Sequence, residues 1–117
     1  MQKAKAGNRP IGIFDSGIGG LTVFNEIRKK LPYENLIYFG DTARVPYGNK
    51  SRETIVRFAG EITNFLKKFD VKMIVVACNT VSSIALEKVK KISEVPVIGV
   101  IEPVAELSLK ISENKKI

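Results

Sequence analysis

Residues 11–21 read Ile-Gly-Ile-Phe-Asp-Ser-Gly-Ile-Gly-Gly-Leu, and their order decides the class of fold. Ile11–Phe14 carries no polar side chain, and Gly17, Gly19 and Gly20 follow it. Leu21, Phe24, Ile27 and Leu31 then recur at spacings of three and four. A short apolar run without alternation marks a strand covered on both faces. The later spacing gives a helix with one apolar stripe. Strand, tight loop and helix in that order form the repeating unit of a parallel sheet.

The unit recurs on moving outward. Leu36–Phe39, Met73–Ala77 and Val97–Val100 are the other continuous apolar runs. Between the second and third lies a long helical stripe of Ile55, Phe58, Ala59, Ile62, Phe65, Leu66 and Phe69. Ser51 suits its N-cap, and Glu53 falls in the first turn, where the helix dipole favours an anion. Ile84, Ala85, Val89 and Ile92 make a third stripe, closed by Pro96, and Pro103 suits the first position of a fourth helix through Leu107 and Ile111. The pattern predicts an α/β fold: a parallel four-stranded sheet flanked by helices, with right-handed crossovers. Residues 1–10, polar and basic without period, read as a mobile tail, and 11–101 as the α/β lobe. Residues 102–117 read as the start of a helix crossing to a further lobe that the sequence does not contain.

A length of 117 residues suits one domain. With 44% hydrophobic and 26% charged residues, the composition excludes a disordered or fibrous chain. A single Cys excludes an internal disulfide and a thiolate-rich metal cluster, and the lack of His removes the commonest metal ligand and general base. Proton chemistry must then come from carboxylate, thiol, Lys or Tyr. No apolar run approaches the roughly 20 residues that span a bilayer. Lys3, Lys5 and Arg9 are followed by no apolar signal core, so a reducing cytoplasm is the expected setting. The formal charge of +7 sits largely on helix flanks, as at Lys29, Lys30, Lys67, Lys68, Lys90 and Lys91, with no interleaved aromatics to stack bases. Solvated helix faces account for it, and neither nucleic acid nor membrane is an expected partner.

Ligands of such sheets bind beyond the carboxyl ends of the strands. There the sequence offers Asp15-Ser16-Gly17 after the first strand and residues 40–49, Gly-Asp-Thr-Ala-Arg-Val-Pro-Tyr-Gly-Asn, after the second. Cys78-Asn79-Thr80 follows the third strand and Glu102-Pro103 the fourth. The glycine loop allows backbone N–H groups to approach an anion. A dinucleotide fingerprint would need a third glycine where Thr22 stands, and the Gly-Lys-Ser/Thr of a phosphate loop is absent. A small carboxylate or amino acid suits the edge better than a nucleotide. Cys78 has two readings: a small buried hydrophobe ending a strand, or a thiol at a helix N-terminus, which attracts an anion by roughly 0.3–1 kcal/mol. Asn79 and Thr80 are equally helix caps or donors to a substrate carboxylate. Pro46, Tyr47, Gly48 and Asn49 are ordinary turn chemistry, and Arg44 is either a carboxylate clamp or solvated.

Three separated motifs in this order resemble a known family. Asp-Ser-Gly-Ile-Gly-Gly-Leu at 15–21, Tyr-Phe-Gly-Asp-Thr-Ala-Arg-Val-Pro-Tyr-Gly at 38–48 and Ala-Cys-Asn-Thr at 77–80 look like the first half of a glutamate racemase. Ile-Gly-Val-Ile-Glu-Pro at 98–103 fits as well, and the likeness runs from about Ile11 to Ala105. Aspartate racemases share the thiol logic but match the second motif less well. The resemblance implies one lobe of a two-lobed fold and a cofactor-independent isomerase of the bacterial cytoplasm that makes D-glutamate for peptidoglycan, and so for cell-wall biogenesis and cell shape. It implies Cys78 as an acid/base thiol, with Asp15 and Ser16 assisting it and binding the substrate ammonium. Asn79 and Thr80 would hold a carboxylate, and Pro46, Tyr47 and Gly48 would line the pocket, with no metal.

The family's second thiol, with its Thr and His neighbours, lies in a second half outside this sequence. Inverting a stereocentre by proton transfer needs a donor on each face. The chain by itself is therefore expected to bind glutamate, or to exchange its α-proton with retention, rather than to racemise as a monomer. Two copies facing each other, each contributing Cys78, would restore the missing donor, which makes a homodimer the arrangement to test. The alternative function is a non-catalytic α/β module that binds an acidic amino acid or an anion.

Overall fold

The computed structural model describes residues 8–17, 21–44 and 46–99. Four strands, β1 (Ile11–Asp15), β2 (Leu36–Gly40), β3 (Met73–Val76) and β4 (Val97–Gly99), form one parallel sheet in the order β2-β1-β3-β4. Helix α1 (Leu21–Lys30) joins β1 to β2, and α2 (Arg52–Lys67) joins β2 to β3. Helices α3 (Asn79–Ile84) and α4 (Leu86–Ser93) lie between β3 and β4. The chain thus runs outward from β1 to β2 and returns on the other side of β1. That reversal is the switch point where such sheets hold ligands.

Side chains alternate across the sheet and build a core on each face. Ile11, Ile13, Met73, Val75 and Ile98 pack with Ile27 of α1 on one side. Phe14, Ile74, Val76 and Val97 pack on the other against Ile55, Phe58, Ile62 and Leu66 of α2 and Val81, Ala85 and Val89 beyond β3. Strands β1 and β3 are buried at every residue, as their continuous apolar runs predict. Strand β2, read the same way, is half-buried throughout. It lies at the sheet edge, and an edge strand has a neighbour on one side only. Beside it Phe65 is 40% exposed, flanked by Phe39 and Phe69 with ring centroids 5.2 and 5.3 Å away.

Ser51 caps α2 as expected, its Oγ accepting the Thr54 N–H at 3.1 Å. The stripe through Ile84, Ala85, Val89 and Ile92 is not one helix. Ala85, with φ −123° and ψ 9°, ends α3 and begins α4. The break keeps α3 over the end of β3 while α4 packs along α2. An apolar stripe is the same for a straight helix and for two short ones, so the spacing did not reveal it.

Of the stretch read as a mobile tail, residues 8–10 are tied to the body. The Arg9 guanidinium donates to the carbonyls of Asp70 (3.1 Å) and Val71 (2.8 Å), and the Lys72 N–H donates to the Pro10 carbonyl. The remainder of that tail, Val100, Glu102-Pro103 and the expected fourth helix lie outside the described residues. Among the described residues, no helix is long and apolar enough to cross a membrane.

Candidate active site

Hydrogen bonds between strands bring the ends of β1, β2 and β3 to one edge. Asp15 is in register with Gly40, the Asp41 N–H donates to the Asp15 carbonyl at 3.0 Å, and the Ala77 N–H donates to the Phe14 carbonyl at 2.8 Å. Alternation then sorts the side chains. Asp15, in step with Ile13, belongs to the α1 side, whereas Ser16 and Cys78 follow Phe14 and Val76 to the α2 side. The Cys78 thiol donates to Ser16 Oγ at 3.3 Å, so the chain segments after β1 and β3 meet across the switch point.

Cys78 is itself the N-cap of α3, extended at φ −105° and ψ 124°, and its side chain makes no capping bond. The Ser82 N–H reaches its carbonyl at 2.9 Å instead. The residue is 6% exposed, which fits a small apolar side chain, yet its sulfur faces a hydroxyl rather than only hydrocarbon. Asp15 is 4% exposed and carries a polar neighbour, Tyr38, whose phenol is raised above its ordinary range by burial and then by the Asp15 carboxylate. Asn79 is exposed, and Thr80 and Ser16 are half-buried.

The segment after β2 folds back on itself. Asp41, buried at the strand end, accepts the Tyr47 hydroxyl and, at 2.7 Å, Arg44 Nε. Arg44 also donates to Glu61 of α2, and its guanidinium lies 3.8 Å from the centroid of the Phe58 ring. The Tyr47 ring packs on the same Phe58, with 5.5 Å between centroids. Arg44 is therefore a carboxylate clamp, the first of its two sequence readings, and the carboxylates it holds are those of its own chain. Tyr47 was expected to line the pocket, but its side chain is 2% exposed and its hydroxyl is committed to Asp41. Pro46 and Gly48, on either side, are exposed, and a β-carbon on Gly48 would meet nothing within 4 Å. Burial and then the Asp41 carboxylate push the Tyr47 phenol well above its usual range. Cys78 and Tyr47 belong to the same buried cluster.

Tyr38, Asp41, Phe58 and Glu61 are parts of this arrangement that the sequence reading passed over. Asp41 stood in the strand-end segment without a role, and Tyr38 was counted among apolar strand residues. Among the described residues, no group of three or more His, Cys, Asp or Glu is gathered to hold a metal.

The two raised phenols set an alkaline limit. Above pH about 10 the tyrosines of an unfolded chain ionise, while Tyr38 and Tyr47 remain protonated in the fold. Stability is full below that pH and declines as the pH climbs toward the raised values. Tyrosinate absorbance followed together with far-UV circular dichroism checks this. Two of the three tyrosines should ionise later than a free phenol, and ionisation of all three near pH 10 with the dichroism intact would contradict it.

Comparison with known proteins agrees with the motifs. The model of a family described as Asp/Glu/hydantoin racemase matches residues 18–117. Glutamate racemases of Persephonella marina and a Sulfurihydrogenibium species are 54% and 58% identical over 107 and 109 residues. Both matches cover 92% of this chain and 41% and 42% of those proteins. The chain thus spans about two fifths of the length of the curated relatives it matches. Among solved structures, the glutamate racemase of Francisella tularensis in complex with D-glutamate is 56% identical, with a TM-score of 0.79, over 80% of this chain and 36% of that one. The enzyme of Thermus thermophilus in complex with β-chloro-D-alanine is 55% identical, with a TM-score of 0.80, over 89% of this chain and 41% of that one.

Proposed function

The chain belongs to the Asp/Glu/hydantoin racemase family, and from that premise we propose that it is the lobe of a glutamate racemase that carries one of the two proton-transferring thiols. The Cys78 sulfur takes the α-proton of glutamate from one face or returns it there. The observation that carries this reading is the meeting of the Cys78 thiol with Ser16, next in sequence to Asp15, at the sheet's switch point. Asp15 assists the thiol from the position next to Ser16 in the chain and, with Ser16, holds the substrate ammonium. Asn79 and Thr80, at the start of α3, bind a carboxylate. Pro46 and Gly48 offer the pocket their exposed surface, with Tyr47 contributing its backbone because its hydroxyl is engaged.

The chain holds one thiol and no imidazole, so inversion needs a second donor from outside it. We infer that a longer polypeptide or a facing second copy supplies that donor. Relatives bearing the name glutamate racemase and a relative's structure with D-glutamate support glutamate as substrate. Supply of D-glutamate for peptidoglycan, in the cytoplasm, is the role that follows.

The test is incubation of the chain in D2O with L- or D-glutamate. The expected product is glutamate deuterated at Cα with its configuration retained, formed from one enantiomer. Binding without deuterium incorporation would replace this reading with a non-catalytic module for acidic amino acids.

A further inference from the structure

Two short 3-10 turns, Thr42–Arg44 and Tyr47–Asn49, carry the chain from β2 towards α2. The Arg44 N–H donates to the Asp41 carbonyl at 3.3 Å, and the Lys50 N–H to the Tyr47 carbonyl at 3.0 Å. Such bonds curl each turn but do not attach it to the body of the lobe. Pro46, Gly48 and Asn49 are exposed. The attachment comes from one side chain on each turn, and Arg44 and Tyr47 grip the same two residues. Both donate to Asp41 Oδ2. Both also pack on Phe58 of α2, the guanidinium carbon at 3.8 Å from the ring centroid and the phenol ring at 5.5 Å.

Arg44 goes one step further than Tyr47. Its Nε donates to Asp41 at 2.7 Å while Nη1 donates to Glu61, three residues along α2 from Phe58. A guanidinium is planar, and its donors form a rigid fork. With one prong on the buried carboxylate at the end of β2, the other on a helix side chain and a ring beneath, its orientation is set. The end of β2 and the middle of α2 are thereby held together on the side of the sheet to which alternation also sends Ser16 and Cys78. A lysine would keep the charge and lose the fork. An exposed turn left loose would have to be ordered by the ligand, which weakens binding. Held beforehand, the turn presents Pro46, Gly48 and the Tyr47 backbone without that cost.

We propose that Arg44 is a positioning residue for substrate binding: by bridging Asp41 and Glu61 across Phe58, it holds the 46–48 turn in place before the ligand arrives. This deepens the reading of the site given above and rests on it for its meaning in binding.

The test compares the whole chain with Arg44→Lys and with Glu61→Gln. The second variant removes an ion pair whose glutamate side chain is 54% exposed, so the fold is expected to tolerate it. Amide hydrogen exchange at Gly48, Asn49 and Lys50, followed by NMR, reads the turn without any ligand. It is expected to quicken severalfold in both variants, with the amides of β1 and β3 unchanged. Exchange equal to the wild type in either variant would overturn the proposal. The D-glutamate concentration that halves the alkylation rate of Cys78 reads binding. It is expected to rise about tenfold in Arg44→Lys, within the range that a slight misplacement costs, and less in Glu61→Gln, while kcat for deuterium exchange at Cα stays nearly the same. An unchanged half-protecting concentration beside a loosened turn would also overturn the proposal, since Arg44 would then serve stability alone. A wild-type chain that D-glutamate does not protect would count against the proposed function instead, and the amide exchange would still decide whether Arg44 holds the turn.

Discussion

Cys78→Ser is expected to lower deuterium exchange at Cα of glutamate by roughly 10²–10⁴-fold, the span typical of losing a positioned acid/base group. The chain has no second thiol and no imidazole to substitute for it. A serine hydroxyl has nearly the shape of the thiol and can still bond Ser16 Oγ, but it is far too weak an acid to form an anion at neutral pH. The fold should hold: the change removes no partner of a buried charge, and the expected cost is within about 1 kcal/mol. Urea unfolding of both proteins separates the two effects. Exchange that persists at the wild-type rate in a folded Cys78→Ser would remove the sulfur from the chemistry.

Asp41→Ala is expected to produce the largest loss of stability among the site residues, about 3 kcal/mol. Its carboxylate is buried and accepts from both Tyr47 and Arg44. Deleting it leaves the Tyr47 hydroxyl, on a side chain 2% exposed, as a buried donor without its acceptor. Such a group costs about 1–3 kcal/mol, and bonds involving a charged partner are at the upper end. Arg44 keeps Glu61 and its place on Phe58, which limits the damage on that side. Tyr47→Phe leaves the Asp41 carboxylate oxygen its bond from Arg44 Nε, and should cost only about 1 kcal/mol. Urea midpoints at constant slope measure both. Equal losses in the two variants would mean that the carboxylate does not organise the 41–49 segment.

The strands were legible because a run such as Met73–Val76 buries every residue, and only a strand covered on both faces lets so short a run do so. Ser51 was legible because capping is local, settled within three residues. Cys78 at the end of β3 and the start of α3 followed from strand and helix readings alone. What escaped depends on partners far apart in the chain. Arg44 meets Glu61 seventeen residues on, and no spacing rule covers a coil-to-helix contact. Tyr38 escaped for another reason: its ring obeys the apolar pattern of β2, and only its oxygen belongs to the site. Tyr47 was read as a pocket residue from its motif, yet its side chain serves Asp41, which the same motif contains.

Because Cys78 is the only cysteine, alkylation reports on it without ambiguity. The rate of its modification by iodoacetamide in the folded chain, with and without D-glutamate, separates a thiol at a ligand site from a core residue that happens to be sulfur. Labelling much faster than global unfolding, and clearly slowed by D-glutamate, is the expected result. Labelling no faster than unfolding, and indifferent to glutamate, would contradict it.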